Sequence, residues 1–564
     1  MKTKYLIFSA LTLLALSVSA CGGSEQGGNN RRSGGQDSSG QGSESSQQGQ
    51  GGDSAFIFDD DKLEEAQEIH TDDQKRYLEF EREYYSMTSS DLNGFNARGD
   101  STDVSAPKSV KLEWDFEPVE GKTLSRYSVV YGQKADLSDG YEVVGTTAKS
   151  LSFYNPYLGT NYFKVVATYS DGDTEESEIK TFKVTEQAPR NLKVGNMANC
   201  RDMGGRTTYA GGKIKQGLIY RTCGNKFDYN SVINDEGKKV MLEQLGVKTE
   251  INVSDNDTYN FGSSLLPGTQ LENCYMNYGS TPYSNLARNS SRIRQVMNVL
   301  AEEDNYPVFY HCRIGTDRTG ITGVMIGGLL GIEFNDIIQD YLFSNFAPID
   351  GQRYPGKTPD NNGDDIKKYI DEIIGLPGST FQEKTYLALR MIGVPAAKLD
   401  AIIDIMTDGA KVSFPDSFKV GEGNDLTSTG SKKTDNTFMN PDIYYQVAAN
   451  QSASYSVTTT QGAKDVIVYM ASTNTSISTS TTTTLGSSIT LKIDGAEKTM
   501  DIASRTLHRC GFGQTAQNTN KRLGYMFNIL GNYDFTAGNH TVEIAVKSGT
   551  FNVASITVAD RAAA

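Results

Sequence analysis

The chain has 564 residues, with 69 Asp and Glu against 54 Lys and Arg, a formal net charge of −15. At roughly 150 residues per domain this length gives three or four domains, and the acidic balance argues against a nucleic-acid partner, which would call for a basic face. Low apolar content (37 %) and 56 glycines point to unstructured stretches. The four histidines, His70, His311, His508 and His540, are scattered without metal-ligand spacing, so no metal and no cofactor is expected.

The N-terminus reads as a targeting segment. Lys2 and Lys4 precede an apolar run, Tyr5 to Val18, that is too short to span a bilayer. Val18-Ser19-Ala20-Cys21 resembles a bacterial lipobox, in which cleavage leaves the cysteine as a lipid-bearing N-terminus. The resemblance implies an exported lipoprotein of a bacterium, anchored to the cell membrane through Cys21. An ordinary signal peptide with an incidental cysteine is the alternative. Residues 1–21 are the signal. Residues 22–54, rich in Gly, Ser, Gln and Asn, form a flexible tether, because such a stretch buries too little apolar surface to offset its chain entropy. Residues 55–105 are acidic, with a short helix expected around Lys62 to Tyr85 and no function assigned.

Three folded regions follow, and the fold class expected is multidomain: a central α/β domain with a mostly parallel sheet, flanked by two all-β sandwiches. Over 106–187 short alternating strands are expected at Ser109 to Trp114, Tyr127 to Tyr131 and Tyr162 to Ala167. Leu158 to Ala167 resembles the corner before strand F of fibronectin type III domains, and the single tryptophan, Trp114, is expected in the core. Over 188–412 strands alternate with helices: a strand from Lys248 to Val253, an amphipathic helix from Arg292 to Glu303, a strand from Pro307 to Tyr310, then helices over Arg318 to Leu330, Asn335 to Phe346, Asp364 to Ile374, Phe381 to Ile392 and Pro395 to Met406. A polar linker, 413–434, leads to a second sandwich over 435–560, with strands at Asp465 to Tyr469, Ile489 to Ile493 and His540 to Val546.

The chemistry sits in His311-Cys312-Arg313-Ile314-Gly315-Thr316-Asp317-Arg318-Thr319-Gly320, between an apolar strand and a Gly-rich apolar helix. A tight loop entering a helix converges backbone N–H groups on one point, and the first helical turn adds unpaired donors and partial positive charge. An oxyanion of phosphate size fits there. Arg318 can close over it with its planar fork. The same field favours a Cys312 thiolate, a nucleophile aimed at the bound phosphorus. Thr319 can hydrogen-bond the sulfur, and His311 suits ordering the loop better than acting as a base.

This run resembles the signature loop of Cys-based protein tyrosine phosphatases: His-Cys, five residues, Arg, then Thr-Gly. Asn199 to Gly205, Gly217 to Arg221 and Asp340-Tyr341-Leu342 are similar to stretches of a bacterial subfamily, so the resemblance covers about 189 to 410. It implies Cys312 as nucleophile, Arg318 as phosphate ligand and Asp317 as general acid, with His311, Arg313, Ile314, Gly315, Thr316, Thr319 and Gly320 building the loop. Asp255 and Asp257, just past a strand end, are rival acids. Arg201, Asp202 and Arg221 either frame the loop or form structural ion pairs. Two departures stand out: Thr316 replaces a common Lys, and Asn252-Val253-Ser254 replaces Asp-Leu-Arg.

The expected function is therefore a phosphotyrosine phosphatase working through a phosphocysteine. The alternatives are a phosphoinositide or inositol-phosphate phosphatase, which Thr316 disfavours by removing a cation, and a non-catalytic surface-binding protein, which an intact Cys312 and Arg318 disfavour. The partner is then a phosphorylated protein or lipid. Cys200, Cys223, Cys274 and Cys510 allow three pairings or none. Tyr275, Tyr278 and Tyr283 either pack or form a substrate-facing wall. Phe535 to Ile544 and Gly549 to Val553 resemble the last strands of carbohydrate-binding modules, which implies a carbohydrate ligand with Tyr525, Phe527 and Tyr533 as candidate faces; a purely structural sandwich is the other reading.

Overall fold

A computed structural model describes residues 56–81, 83–100, 106–224, 233–254, 262–276, 286–349, 351–355, 366–412, 414, 416–434, 443–472, 482–501 and 526–561. Cys21 with the signal and tether, and Asp255, Asp257, Tyr278, Tyr283, Cys510 and Tyr525, lie outside the described residues.

The single helix expected over Lys62 to Tyr85 is instead broken. Asp60–Glu64 is one turn, and helix α1 (Asp72–Leu78) begins at Thr71, whose side chain accepts from the Gln74 amide in a capping box. A second capping box on Thr88 starts α2 (Ser89–Gly94). Local Asp and Thr caps thus punctuate a stretch whose composition alone reads as one helix. The segment is not an isolated tail. Tyr77, Tyr84, Leu92 and Ala97 are buried in the core of the central domain.

Strands Val110–Glu113 and Ser150–Phe153 pair as one sheet. Leu124–Gly132, Tyr141–Val144, Gly159–Tyr169, Thr174–Glu176 and Lys180–Val184 form another. Their alternating apolar positions meet in one core, where Trp114 is 4 % exposed and packs edge-on to Tyr127 at 5.2 Å between centroids.

The central sheet has six strands among the described residues: β1 (Arg190–Asn191), β2 (Arg201–Asp202), β3 (Ile219–Cys223), β4 (Thr249–Asn252), β5 (Gln270–Asn273) and β6 (Val308–Cys312). The order is β1-β2-β3-β6-β4-β5. β3, β6, β4 and β5 run parallel; on the β3 side β2 runs antiparallel to β3, and β1 antiparallel to β2. Every residue of β3, β4 and β6 is buried, the condition of strands covered on both faces. The helices are α3 (Leu286–Leu300), α4 (Asp317–Leu330), α5 (Phe334–Phe343), α6 (Ile366–Ile374), α7 (Phe381–Met391) and α8 (Ala396–Met406). α4 is buried along its whole length. Its glycines let neighbours approach: a Cβ on Gly320 would lie 2.6 Å from the Tyr341 ring of α5, and one on Gly328 would lie 2.4 Å from Thr385 Oγ1 of α7.

The stretch read as a linker carries three strands, Lys419–Glu422, Leu426–Ser428 and Ser431–Thr434, all belonging to the C-terminal sandwich. Its polar composition is that of edge strands: every residue of Ser431–Thr434 is exposed. Strand Gly462–Ser472 lies in the sheet nearer the central domain. By strand alternation Val466 and Val468 face the sandwich core, whereas Ile467 and Tyr469 join the core of the central domain. Phe527 goes with them at 2 % exposure, so it offers no face to a sugar; the sheet that carries it is spent on packing. Tyr533 is half-buried, with its hydroxyl donating to the Thr499 carbonyl at 2.9 Å. Across this junction the Tyr469 hydroxyl meets Ser290 Oγ at 2.6 Å and Arg390 donates to Glu422 at 2.7 Å.

Candidate active site

Cys312 ends β6, and Arg313 to Thr316 turn the chain directly into α4. Thr316 is the N-cap residue but its side chain caps no first-turn amide; its hydroxyl accepts from Asn199 instead. Gly315 has φ +72°, and a Cβ there would sit 2.5 Å from the Thr222 carbonyl oxygen; only glycine fits this turn against β3. The Thr319 hydroxyl reaches back and accepts from the Cys312 amide at 2.7 Å.

Cys312 is 1 % exposed, and Asp317 and Arg318 are each 5 % exposed. Burial opposes a Cys312 thiolate. The Arg318 charge and the Thr319 hydrogen bonds outweigh it, with Asp317 pulling the other way, and the thiol is held below its ordinary value. The other described cysteines, Cys200, Cys223 and Cys274, are buried free thiols. Burial pushes each of them up, Cys223 to about 11. The loop cysteine is thus set apart from the other described cysteines by the charges beside it and not by its exposure.

His311 is buried and bonded on both sides. Nε2 lies 2.9 Å from Glu250 Oε1, and Nδ1 lies 3.1 Å from the Cys312 carbonyl oxygen. Glu250 in turn accepts from the Leu265 amide at 2.6 Å. This is an ordering role. Arg221 donates to Asp340 and, at 3.0 Å, to the Gly315 carbonyl oxygen. Arg201 forks onto the same Asp340, with Nε at 2.7 Å from Oδ1, and also reaches Asn199 Oδ1. Asn199 Nδ2 donates to the Gly315 carbonyl at 3.0 Å and to Thr316 Oγ1 at 3.4 Å. Burial would raise Asp340, but Arg201, Arg221 and Arg206 hold its carboxyl well below the usual carboxylate range. Arg201 is lowered to about 10 by burial and by Arg221 beside it.

Arg201 and Arg221 therefore support the loop through its backbone and neighbours. Asp202 does not frame it. Its carboxylate accepts from Arg190 at 3.0 Å and from the Gly204 and Gly217 amides at 2.8 and 2.7 Å, because strand alternation turns it away from Arg201 and onto the β1 side.

Two residues escaped the sequence reading. Glu250 is a charged side chain inside a parallel strand that is buried along its whole length, a position that calls for a buried partner. Arg353 carried no such signal. Its Nε donates to Asp317 Oδ1 at 2.9 Å and its Nη2 to Oδ2 at 3.3 Å, so the carboxylate expected as general acid is clamped on both oxygens.

No curated protein matches the chain. The solved structures similar to parts of it include a family 35 carbohydrate binding module from Clostridium thermocellum, at 14 % identity, covering 25 % of this chain and 97 % of that one with a TM-score of 0.19. Another is the core catalytic domain of the PP-IP phosphatase SIW14 from S. cerevisiae in complex with citrate, at 19 % identity, covering 28 % and 83 % with a TM-score of 0.20. A third is the carbohydrate-binding module CBM36 in complex with calcium and xylotriose, at 14 % identity, covering 25 % and 99 % with a TM-score of 0.18. The stretch that holds β2 to β6 and the Cys312 loop, residues 192–408, matches the tyrosine phosphatase family.

Proposed function

We propose that the chain hydrolyses phosphate monoesters through a phosphocysteine, with phosphotyrosine as the substrate class. The observation that carries this is a buried Cys312 whose thiol is lowered by Arg318 and Thr319 at the junction of β6 and α4. The loop amides and Arg318 hold the phosphoryl oxygens. The Cys312 thiolate attacks phosphorus, the bond from phosphorus to the ester oxygen breaks, and that oxygen takes a proton from Asp317. Water then attacks the phosphocysteine, its proton passes to Asp317, and phosphate leaves the regenerated thiolate. In this scheme Asp317 acts as an acid only after it leaves Arg353, since both its oxygens accept from that guanidinium.

A nucleophile this buried favours the long reach of a phosphorylated tyrosine over a short serine ester. Thr316, hydrogen-bonded to Asn199, offers no second cation for a polyphosphorylated headgroup. We further propose a lipid anchor on Cys21, checked by whether Cys21→Ser moves the protein into the soluble fraction, and a carbohydrate partner for the C-terminal sandwich.

The decisive experiment is a panel of phosphotyrosine peptides, phosphoserine peptides and phosphoinositides on the purified chain. Phosphotyrosine is expected to turn over fastest. Cys312→Ser should abolish turnover with the fold intact, because a hydroxyl supplies no thiolate. Faster phosphoinositide cleavage would replace the substrate assignment, and turnover by Cys312→Ser would refute the mechanism.

A further inference from the structure

The contacts that hold Arg353 lead away from the central domain. Its amide donates to Asn345 Oδ1 at 2.7 Å, and Asn345 Nδ2 returns a bond to its carbonyl at 2.9 Å. The next residues back are gripped by the segment that precedes the first sandwich. The Gly99 amide donates to the Asn345 carbonyl at 2.8 Å, and the Ile349 amide donates to the Gly99 carbonyl at 2.6 Å. Gln352 Nε2 donates to the Ala97 carbonyl at 2.5 Å, and Ser89 Oγ donates to Gln352 Oε1. Gly99 has φ +70°, and a Cβ on it would lie 2.7 Å from Gln352 Cα. Ile349 and Ala347 also pack on Ile314 of the loop.

We propose that the strap from Ser89 to Gly99 is a working part of the catalytic centre: by gripping Asn345, Ile349 and Gln352 it sets Arg353 on Asp317, and so controls how much of the Asp317 charge reaches Cys312. Arg353 is a positioning residue, acting through Asp317. This rests on the phosphatase reading above and adds residues more than 200 positions from Cys312 in the chain. Cys312 is bonded to Thr319 of α4 and lies opposite Cys223 of β3, and the charges of Asp317 and Arg318 on α4 and of Arg221 on β3 act on it. Asp317 is the anion in that set, and it opposes the thiolate. Removing the Arg353 cation leaves that opposition uncompensated.

The test follows the rate of Cys312 alkylation by iodoacetamide against pH in the full chain, read on the Cys312 peptide by mass spectrometry. Arg353→Ala should raise the midpoint by roughly one pH unit, the scale of an unopposed like charge nearby. Arg353→Lys should restore part of it. Gly99→Val and Gln352→Ala should shift it the same way by less, with Gln352→Ala carrying the strap arm if Gly99→Val does not fold. In Asp317→Asn the Arg353→Ala shift should vanish, since the two act through one contact. An unchanged midpoint in Arg353→Ala, full additivity with Asp317→Asn, or no shift in either strap variant would overturn the proposal. The readout needs no turnover: a chain that shows these shifts but cleaves no aryl phosphate would refute the phosphatase reading and leave the strap assignment standing.

Discussion

Asp340 and Asp317 are both buried carboxylates that meet arginine, one behind the loop and one at its front. Asp340 serves two guanidiniums at once, Arg201 and Arg221, and both carry on to the loop, one through Asn199 and one directly to the Gly315 carbonyl. Among the described residues Asp317 pairs with one guanidinium, that of Arg353, and its charge bears on Cys312. The first arrangement is closed on itself and holds shape. The second leaves one ion pair between the Cys312 sulfur and a segment from outside the central domain. The same chemical pair serves as scaffold or as adjustable part according to how many partners share the carboxylate.

The strongest way to break this comparison is Asp340→Asn. It strips the shared charge from two buried guanidiniums, and breaking a buried pair is worth about 3–5 kcal/mol. A large fall in thermal midpoint is expected, much larger than for Asp317→Asn; the reverse order would sink the scaffold reading. The acid response follows from the same group. Its folded-state carboxyl is depressed, so its stabilisation is fully present above the unfolded value of about 3.9 and is lost as pH falls towards the depressed one. Denaturation midpoints measured from pH 6 down to pH 2 should fall in the wild type, and this component should be missing from Asp340→Asn.

Asp317→Asn sharpens the other side. Phosphotyrosine cleavage should slow by about 100-fold, the scale of a general acid, while an activated aryl phosphate slows much less because its leaving group needs no proton. Equal losses would mean that Asp317 only shapes the loop, and Asp255 and Asp257 would then be tested the same way. Thr319→Val is the mildest. It removes the acceptor of the Cys312 amide and a hydrogen bond to the sulfur, so kcat should fall by about tenfold with the thermal midpoint little changed. A loss in KM alone would place Thr319 in binding instead.

The loop was legible because its parts are contiguous. β6, the turn at Gly315 and α4 follow one another within twenty-odd residues, and apolar periodicity and a glycine are short-range signals. The expected strand over Lys248 to Val253 appears as Thr249–Asn252, and Trp114 lies in a core, for the same local reason. Helix ends moved by a few residues, as with Leu286–Leu300 against the expected Arg292 to Glu303, since caps and packing settle ends.

Residue order by itself determined that a cysteine, an arginine and an aspartate would sit on one turn after a buried strand, because steric periodicity acts between near neighbours. Only the tertiary structure decided what each charge would meet. Asp202 is spent on Arg190, Glu250 braces His311 and Arg353 seizes Asp317. Phe527 lies in the core shared with the central domain, and the polar stretch that follows that domain in the chain became sandwich strands. A buried charge must find a partner, but any distant residue that the fold brings near can answer it, and no periodic pattern in the chain marks which one will.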